Sequence, residues 1–229
     1  MKATITATAK YLPQKTLSNQ ELEKMVDTSN EWILSRTGIE NRHIVSDGEA
    51  TSDMCSQIAN QLLEKSGKSA EDIDLILVAT STPDFLVVST AALVQDKIGA
   101  KNAWGYDIVA ACTGFVYAME TGAKFIESGS YNNVIVIGAD TMSSIIDYTD
   151  RNTCVIFGDG GGGVLLEPTQ EDTGIIDSIL HIDGSGHKYL TVPAGGSANP
   201  ASKETLDNKM HYVYQDGKTV YKFAVKNMA

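Results

Sequence analysis

Residues 107–115 read DIVAACTGF, an apolar run that ends at a thiol, Cys112, just before a glycine and a stretch of helical spacing. A cysteine that follows a buried strand and precedes a helix by one or two residues points toward the positive end of the helix dipole. Unsatisfied backbone N–H groups there favour a thiolate. The small neighbours Ala110, Ala111 and Gly114 leave room for a sharp turn and an approaching substrate. This is the logic of a nucleophile elbow, without its G-x-S-x-G sequence. The same spacing also suits an inert packed cysteine, since free thiols are among the most buried side chains. Cys55, in a helix-patterned stretch, and Cys154, expected inside an apolar strand, lack the turn and the glycine and are expected in the core.

Trp32 and Arg36 form a second candidate pair. They lie four apart in TSNEWILSRTG and share one helix face, where an aromatic ring beside a guanidinium suits a planar, anionic ligand. From the pair alone, a buried tryptophan next to a solvated arginine is the more common account of the spacing. The four glycines of VIFGDGGGGVLLEP, Gly160 to Gly163, invite a phosphate-loop reading. No helix start, lysine or hydroxyl residue follows them, so they predict a tight connection or bulge between two strands.

The elements that must position these residues read as an alternation of strands and helices. IDLILVAT (73–80), YDIVAA (106–111) and NVIVIG (133–138) are near-continuously apolar, as strands covered on both faces must be. Ser89 and Gly99 bracket one helix as cap residues, residues 113–128 follow the three-and-four spacing of another, and residues 51–65 supply a third. Two capping boxes are expected upstream, Ser18 with Glu21 and Thr28 with Glu31. Beyond Pro168, residues 174–186 predict a strand and turn, and residues 184–209 a long polar loop. Val220, Tyr221, Ala224, Val225 and Met228 start an amphipathic helix with no stop signal, so the chain is expected to have been cut short.

Composition narrows the function classes. With 42% hydrophobic and 21% charged residues, the 229-residue chain can build a packed core. No run approaches the roughly 18 apolar residues of a membrane span, and no signal peptide opens the chain. The three cysteines have no metal-ligand spacing and suit a reducing compartment, so no metal and a cytoplasmic location are expected. A net charge of −11 opposes binding to nucleic acid or anionic lipid.

DIVAACTGF resembles the active-site segment of β-ketoacyl-acyl carrier protein synthase III, and other stretches resemble that family in order along the chain. They are DTSNEWILSRTGI, LVATSTPDF, YTDRNTCVIFGDGGGGVLL and DGKTVYKFAVKNMA. The resemblance implies an α/β thiolase-like fold, layered α-β-α-β-α. Residues 1–170 would form the complete N-terminal half and 171–229 the start of a truncated C-terminal half. It implies a homodimeric acyltransferase of fatty acid synthesis, with acyl-coenzyme A as a substrate and no cofactor. The acyl group would pass to Cys112 and condense with malonyl-acyl carrier protein. It further implies that the Cys112 N–H is an oxyanion donor, that Trp32 and Arg151 sandwich the adenine, and that Thr28 and Arg36 assist. Gly217, Val220, Tyr221 and Ala224 would line the pantetheine tunnel, and Phe157 would lie beside the active site.

Departures from the family pattern matter as much. Its HQAN-type histidine and GNTS-type asparagine motifs do not occur, and His43, His181, His187 and His211 stand in unrelated contexts. These residues are therefore expected not to carry out the condensation. Val87 and Val88 stand where many members have an aromatic residue and a proline, which predicts a longer or branched acyl primer. Another thiolase-fold condensing enzyme, either a hydroxymethylglutaryl-coenzyme A synthase or a secondary-metabolite starter synthase, is an alternative. A non-catalytic remnant and a cysteine hydrolase are two more.

Overall fold

The computed structural model describes residues 1–227. Strands and helices are numbered in chain order. The first part holds β1 (Lys2–Tyr11), β2 (Lys15–Ser18), α1 (Asn19–Leu22), α2 (Asn30–Thr37) and β3 (Asn41–Ile44). Next come α3 (Thr51–Ser66), β4 (Leu75–Ala79), α4 (Thr90–Ile98), β5 (Trp104–Ile108), α5 (Gly114–Glu127) and β6 (Val134–Thr141). The remainder is β7 (Asp159–Thr169), β8 (Leu190–Thr191), α6 (Lys203–Asp207), β9 (Tyr214–Gln215) and α7 (Gly217–Asn227). Met228, expected to extend the last helical face, lies outside the described residues.

The chain divides into two compact units. One comprises Met1–Lys15, His43–Thr141 and Asp159–Leu180. Its five-stranded sheet has the order β1-β7-β6-β4-β5. β4 runs parallel to both β5 and β6, while β7 is antiparallel to β6 and β1. Period-two alternation splits the strands between two cores. Ile76, Val78, Ile135 and Ile137 pack with Met54, Ile58 and Leu62 of α3 and with Ala91 and Val94 of α4. Leu75, Leu77, Val134 and Val136 pack with Ala118, Ala123 and Ile126 of α5. Three layers, α-β-α, result, and this explains why β4 is buried along its whole length.

The cap signals act as read. Ser89 accepts the Ala92 N–H at the start of α4, and Gly99 ends that helix in the left-handed region at φ 72°. Ser18 and Glu21 form their capping box. The second box is corrected: α2 begins after Ser29, not Thr28, because the Ser29 hydroxyl accepts the Trp32 N–H at 3.1 Å. The Glu23 carboxylate takes the Asn30 N–H, which fills another of the free donors at this end.

The four glycines require a second correction. Gly160 to Gly163 are neither a connection nor a bulge; they lie within β7, in register with β6. Close approach is nonetheless their reason. A Cβ on Gly161 would stand 2.7 Å from that of Ala139, and one on Gly163 would meet Ile58 at 2.8 Å. Bare backbone at these positions lets α3 settle onto the sheet.

Residues 174–186 do not form the expected strand. Ile175 donates its N–H to the Ala3 carbonyl, but Ile176, Ile179 and Ile182 are exposed and recur every third residue, a spacing that matches no half-buried strand.

The other unit comprises Thr16–Arg42, Met142–Gly158 and His181–Ala229. Its core gathers Leu22, Ile33, Ile146, Cys154, Val155 and Val213. Residues 184–209 are more ordered than a loop. They contain a 3-10 turn at Gly184–Gly186, strand β8 paired with β9, and helix α6 capped by Ser202.

Candidate active site

β5 ends at Ile108, and a 3-10 turn over Ala111–Thr113 carries the chain into α5. Ala111 has φ 44°, in the left-handed region that L-residues avoid at a cost of about 1–2 kcal/mol. Thr113 closes the turn twice on the Ala110 carbonyl, with its N–H at 3.2 Å and its hydroxyl at 2.8 Å. Cys112 sits at the crest of this strained turn and is exposed, whereas Cys55 and Cys154 are buried. Burial pushes both of those thiols up from their ordinary pKa. Of three thiols, only Cys112 is accessible.

Gly114 and Gly138 let the turn sit close to the sheet. A Cβ on Gly114 would meet that of Ala79 at 3.2 Å, and one on Gly138 would press on the Phe115 ring at 3.2 Å. Carboxylates brace the neighbouring strand ends. Asp107 of β5 accepts the Thr90 and Ala91 N–H groups at 2.6 and 2.8 Å, which caps α4 from outside. Asp140 of β6 accepts from the Thr80 hydroxyl, the Ser81 N–H and the Thr82 hydroxyl at 2.7–3.1 Å. Asp84 accepts from the Ser52 N–H and hydroxyl, at 2.9 and 2.6 Å. The stretch before residue 85 is therefore tied down, while Val87 is 95% exposed. Sequence spacing pointed to none of these three aspartates, because each acts across strands or helices distant in sequence.

In the other unit, the Arg151 guanidinium carbon lies 4.7 Å from the centre of the Trp32 ring. Arg36, the neighbour expected from helical spacing, is exposed on α2, and the cation over the ring comes from the 151 turn instead. Asp27 stands 3.8 Å from Arg151, an exposed pair of little energetic weight. Among the described residues the buried Thr28 hydroxyl oxygen has no hydrogen-bond partner. Phe157 packs partly buried against the Leu22–Ile33 core. On α7, Val220 and Ala224 are half-buried and Gly217 and Tyr221 exposed.

His43 Nδ1 contacts the Pro13 carbonyl at 2.6 Å, and His211 Nε2 the Thr205 hydroxyl at 2.9 Å, so each has a structural partner. Among the described residues no cluster of His, Cys, Asp and Glu could hold a metal ion. No described helix is long and apolar enough to cross a membrane.

The sequence profile of 3-oxoacyl-[acyl-carrier-protein (ACP)] synthase III matches residues 106–184. The chain is 58% identical over its whole length to the beta-ketoacyl-[acyl-carrier-protein] synthase III of Chlorobium phaeovibrioides, of which it spans 70%. It is 56% identical over its whole length to that of Koribacter versatilis, spanning 69%. Among solved structures, the 3-oxoacyl-[acyl-carrier-protein] synthase III of Aquifex aeolicus superposes with a TM-score of 0.88 at 39% identity, over 99% of this chain and 68% of that one. The priming β-ketosynthase of the R1128 polyketide biosynthetic pathway superposes with a TM-score of 0.88 at 30% identity, over 99% of this chain and 66% of that one.

Proposed function

The chain belongs to the β-ketoacyl-acyl carrier protein synthase III family of acyltransferases and has its thiolase-like fold, and on that premise we propose that Cys112 accepts an acyl group from acyl-coenzyme A. The sulfur attacks the thioester carbonyl, the bond from that carbon to the coenzyme A sulfur breaks, and coenzyme A leaves as a thiol with the proton that Cys112 gives up. The backbone N–H of Cys112 steadies the oxyanion formed on the way. One observation carries this reading: the only accessible thiol stands on a strained turn at the head of a helix. Incubation with acyl-coenzyme A followed by intact-mass measurement tests it. One acyl adduct is expected, absent from Cys112→Ser. Equal labelling of that variant overturns the reading, and rapid turnover to free acid favours hydrolysis.

Trp32 and Arg151 hold the adenine, with Thr28 and Arg36 at the nucleotide end. On the family resemblance we assign Gly217, Val220, Tyr221 and Ala224 to the pantetheine and Phe157 to the reacting end of the substrate. The 4.7 Å contact supports a clamp. An aromatic ring inserted between two flat groups needs about 7 Å, two van der Waals separations, so Arg151 swings outward to admit adenine.

The acyl-enzyme then condenses with malonyl-acyl carrier protein and releases carbon dioxide, in a cytoplasmic homodimer. The family's histidine and asparagine motifs do not occur among these 229 residues, whose own proposed part is the acyl transfer. Residues 1–170 make up one half of the duplicated fold, and residues 171–229 open the second. The likeness to a priming polyketide ketosynthase favours a starter synthase as the second reading. The exposed, small Val87 supports a longer or branched primer in either case. Comparison of acetyl- and isobutyryl-coenzyme A tests primer choice, and a strong acetyl preference removes the idea.

A further inference from the structure

Arg42 is 3% exposed, within β3 and far in sequence from the residues it holds. Its Nε donates to the Val155 carbonyl at 3.1 Å, and its Nη2 donates to the same oxygen. Its Nη1 donates to Asn19 Oδ1 at 2.5 Å. Among the described residues these partners are all neutral oxygens. A buried guanidinium without a carboxylate costs more in desolvation than an apolar side chain of equal volume, so stability alone is a poor reason for it.

The partners suggest what it does. Val155 belongs to the chain of overlapping turns that carries Arg151, where Cys154 bonds back to Asp150 and Ile156 back to Thr153. Asn19 is itself fully buried, and its amide nitrogen donates to Asn30 Oδ1 at 3.0 Å and to the Ile39 carbonyl at 2.9 Å. Those acceptors flank the two ends of α2, the helix that bears Trp32. One planar fork therefore grips the Arg151 segment directly and the Trp32 helix through one amide. A lysine ammonium has neither the reach nor the geometry to serve both oxygens at once.

We infer that Arg42 is a positioning residue that sets the spacing between Trp32 and Arg151, and so the affinity for a nucleotide-bearing thioester. The inference rests on the adenine-clamp reading above. Arg42 touches no substrate; it acts through Asn19 and Val155.

The test uses the full chain, with coenzyme A and pantetheine as probes, because only the first carries a nucleotide. Arg42→Lys is expected to weaken coenzyme A binding about tenfold and to change pantetheine binding less than twofold. Asn19→Asp guards against misfolding of the first variant. It offers Arg42 a carboxylate oxygen in the same place but removes the amide donors to Asn30 and Ile39. It is expected to lower the coenzyme A to pantetheine preference while the chain still unfolds in one cooperative transition. If Trp32→Ala abolishes that preference while Arg42→Lys and Asn19→Asp retain it, the role of Arg42 is overturned and the clamp stands. If Trp32→Ala also retains it, or the parent chain has no such preference, the clamp itself fails. Should Arg42→Lys not fold, the Asn19→Asp result decides by itself.

Discussion

The Arg151 guanidinium carbon lies over the Trp32 ring, 4.7 Å from its centre, although more than half the chain separates the two residues. Once Arg151 has swung out to admit adenine, the contact that counts is the one its guanidinium makes with the adenine face, worth about 0.5–1 kcal/mol when exposed and about 2 when desolvated. Arg151→Met is therefore expected to raise the dissociation constant for coenzyme A about 2- to 30-fold and to leave pantetheine binding unchanged. Isothermal titration with both compounds checks this, and equal losses for the two would show that Arg151 acts elsewhere.

Exposure separates the thiols. Cys112 is open, whereas Cys55 and Cys154 are sealed in the core. Treatment of the native chain with iodoacetamide is expected to modify Cys112 alone, and peptide mapping reads the site. Labelling of Cys55 at a comparable rate would contradict the burial that pushes its thiol up.

Ala111 holds a left-handed backbone, φ 44°. Ala111→Val is expected to lower stability by about 1–2 kcal/mol, since a branched side chain tolerates that region worst. Ala111→Gly is expected to be no less stable than the parent, although glycine costs about 0.5–1 kcal/mol relative to alanine in ordinary helix or strand positions. Urea denaturation of the three chains decides, and a marked loss on Ala111→Gly would mean that the turn is not strained.

The glycines of β7 are not equivalent. Gly161→Ala and Gly163→Ala force a Cβ to within 2.7–2.8 Å of packed side chains and are expected to cost about 1–3 kcal/mol each. Gly162→Ala meets only the Ala9 carbonyl, at 3.6 Å, and is expected to stay within about 0.5 kcal/mol of the parent. A uniform response across the three would point to conformational entropy, not to close approach.

Asp147 accepts from the Lys209 ammonium at 2.9 Å and from the Thr149 hydroxyl at 2.7 Å. The Lys209 contact first, and then the Thr149 hydroxyl, hold its carboxyl down to about 2. A depressed carboxylate stabilises the fold fully above its unfolded value, by about pH 5 and upward, and that stability is lost as pH falls through the folded value. The stability gap between the parent and Lys209→Met is expected to be constant above about pH 5 and to close toward pH 2. Denaturation midpoints across that range measure it, and a gap that persists at the acid end would exclude the ion pair as its source.

The sequence was most legible where the physics is local. Ser89 and Gly99 marked the ends of α4 because caps act within one turn, and apolar runs gave β4 and β6 because strands buried on both faces leave no polar side. It was least legible at Gly160 to Gly163, where the reason for four glycines is Ile58 on a distant helix. Thr28 was misread because Ser29 offers the same hydroxyl one position later.

The chain alone determined that a thiol would stand between a strand and a helix, since the apolar run, the small residues and the helical spacing are contiguous around Cys112; it misjudged that strand, because β5 is a half-buried edge strand that ends at Ile108 and not a strand covered on both faces. It also determined that Trp32 would ride a short capped helix. Only the tertiary structure decided that Ala111 is left-handed, that Arg151 and not Arg36 covers Trp32, and that Arg42 reaches Asn19 and Val155. Helical and strand periods specify neighbours within one element, whereas these relationships arise when separate elements pack. No spacing in the sequence encodes which side chain arrives from the other side.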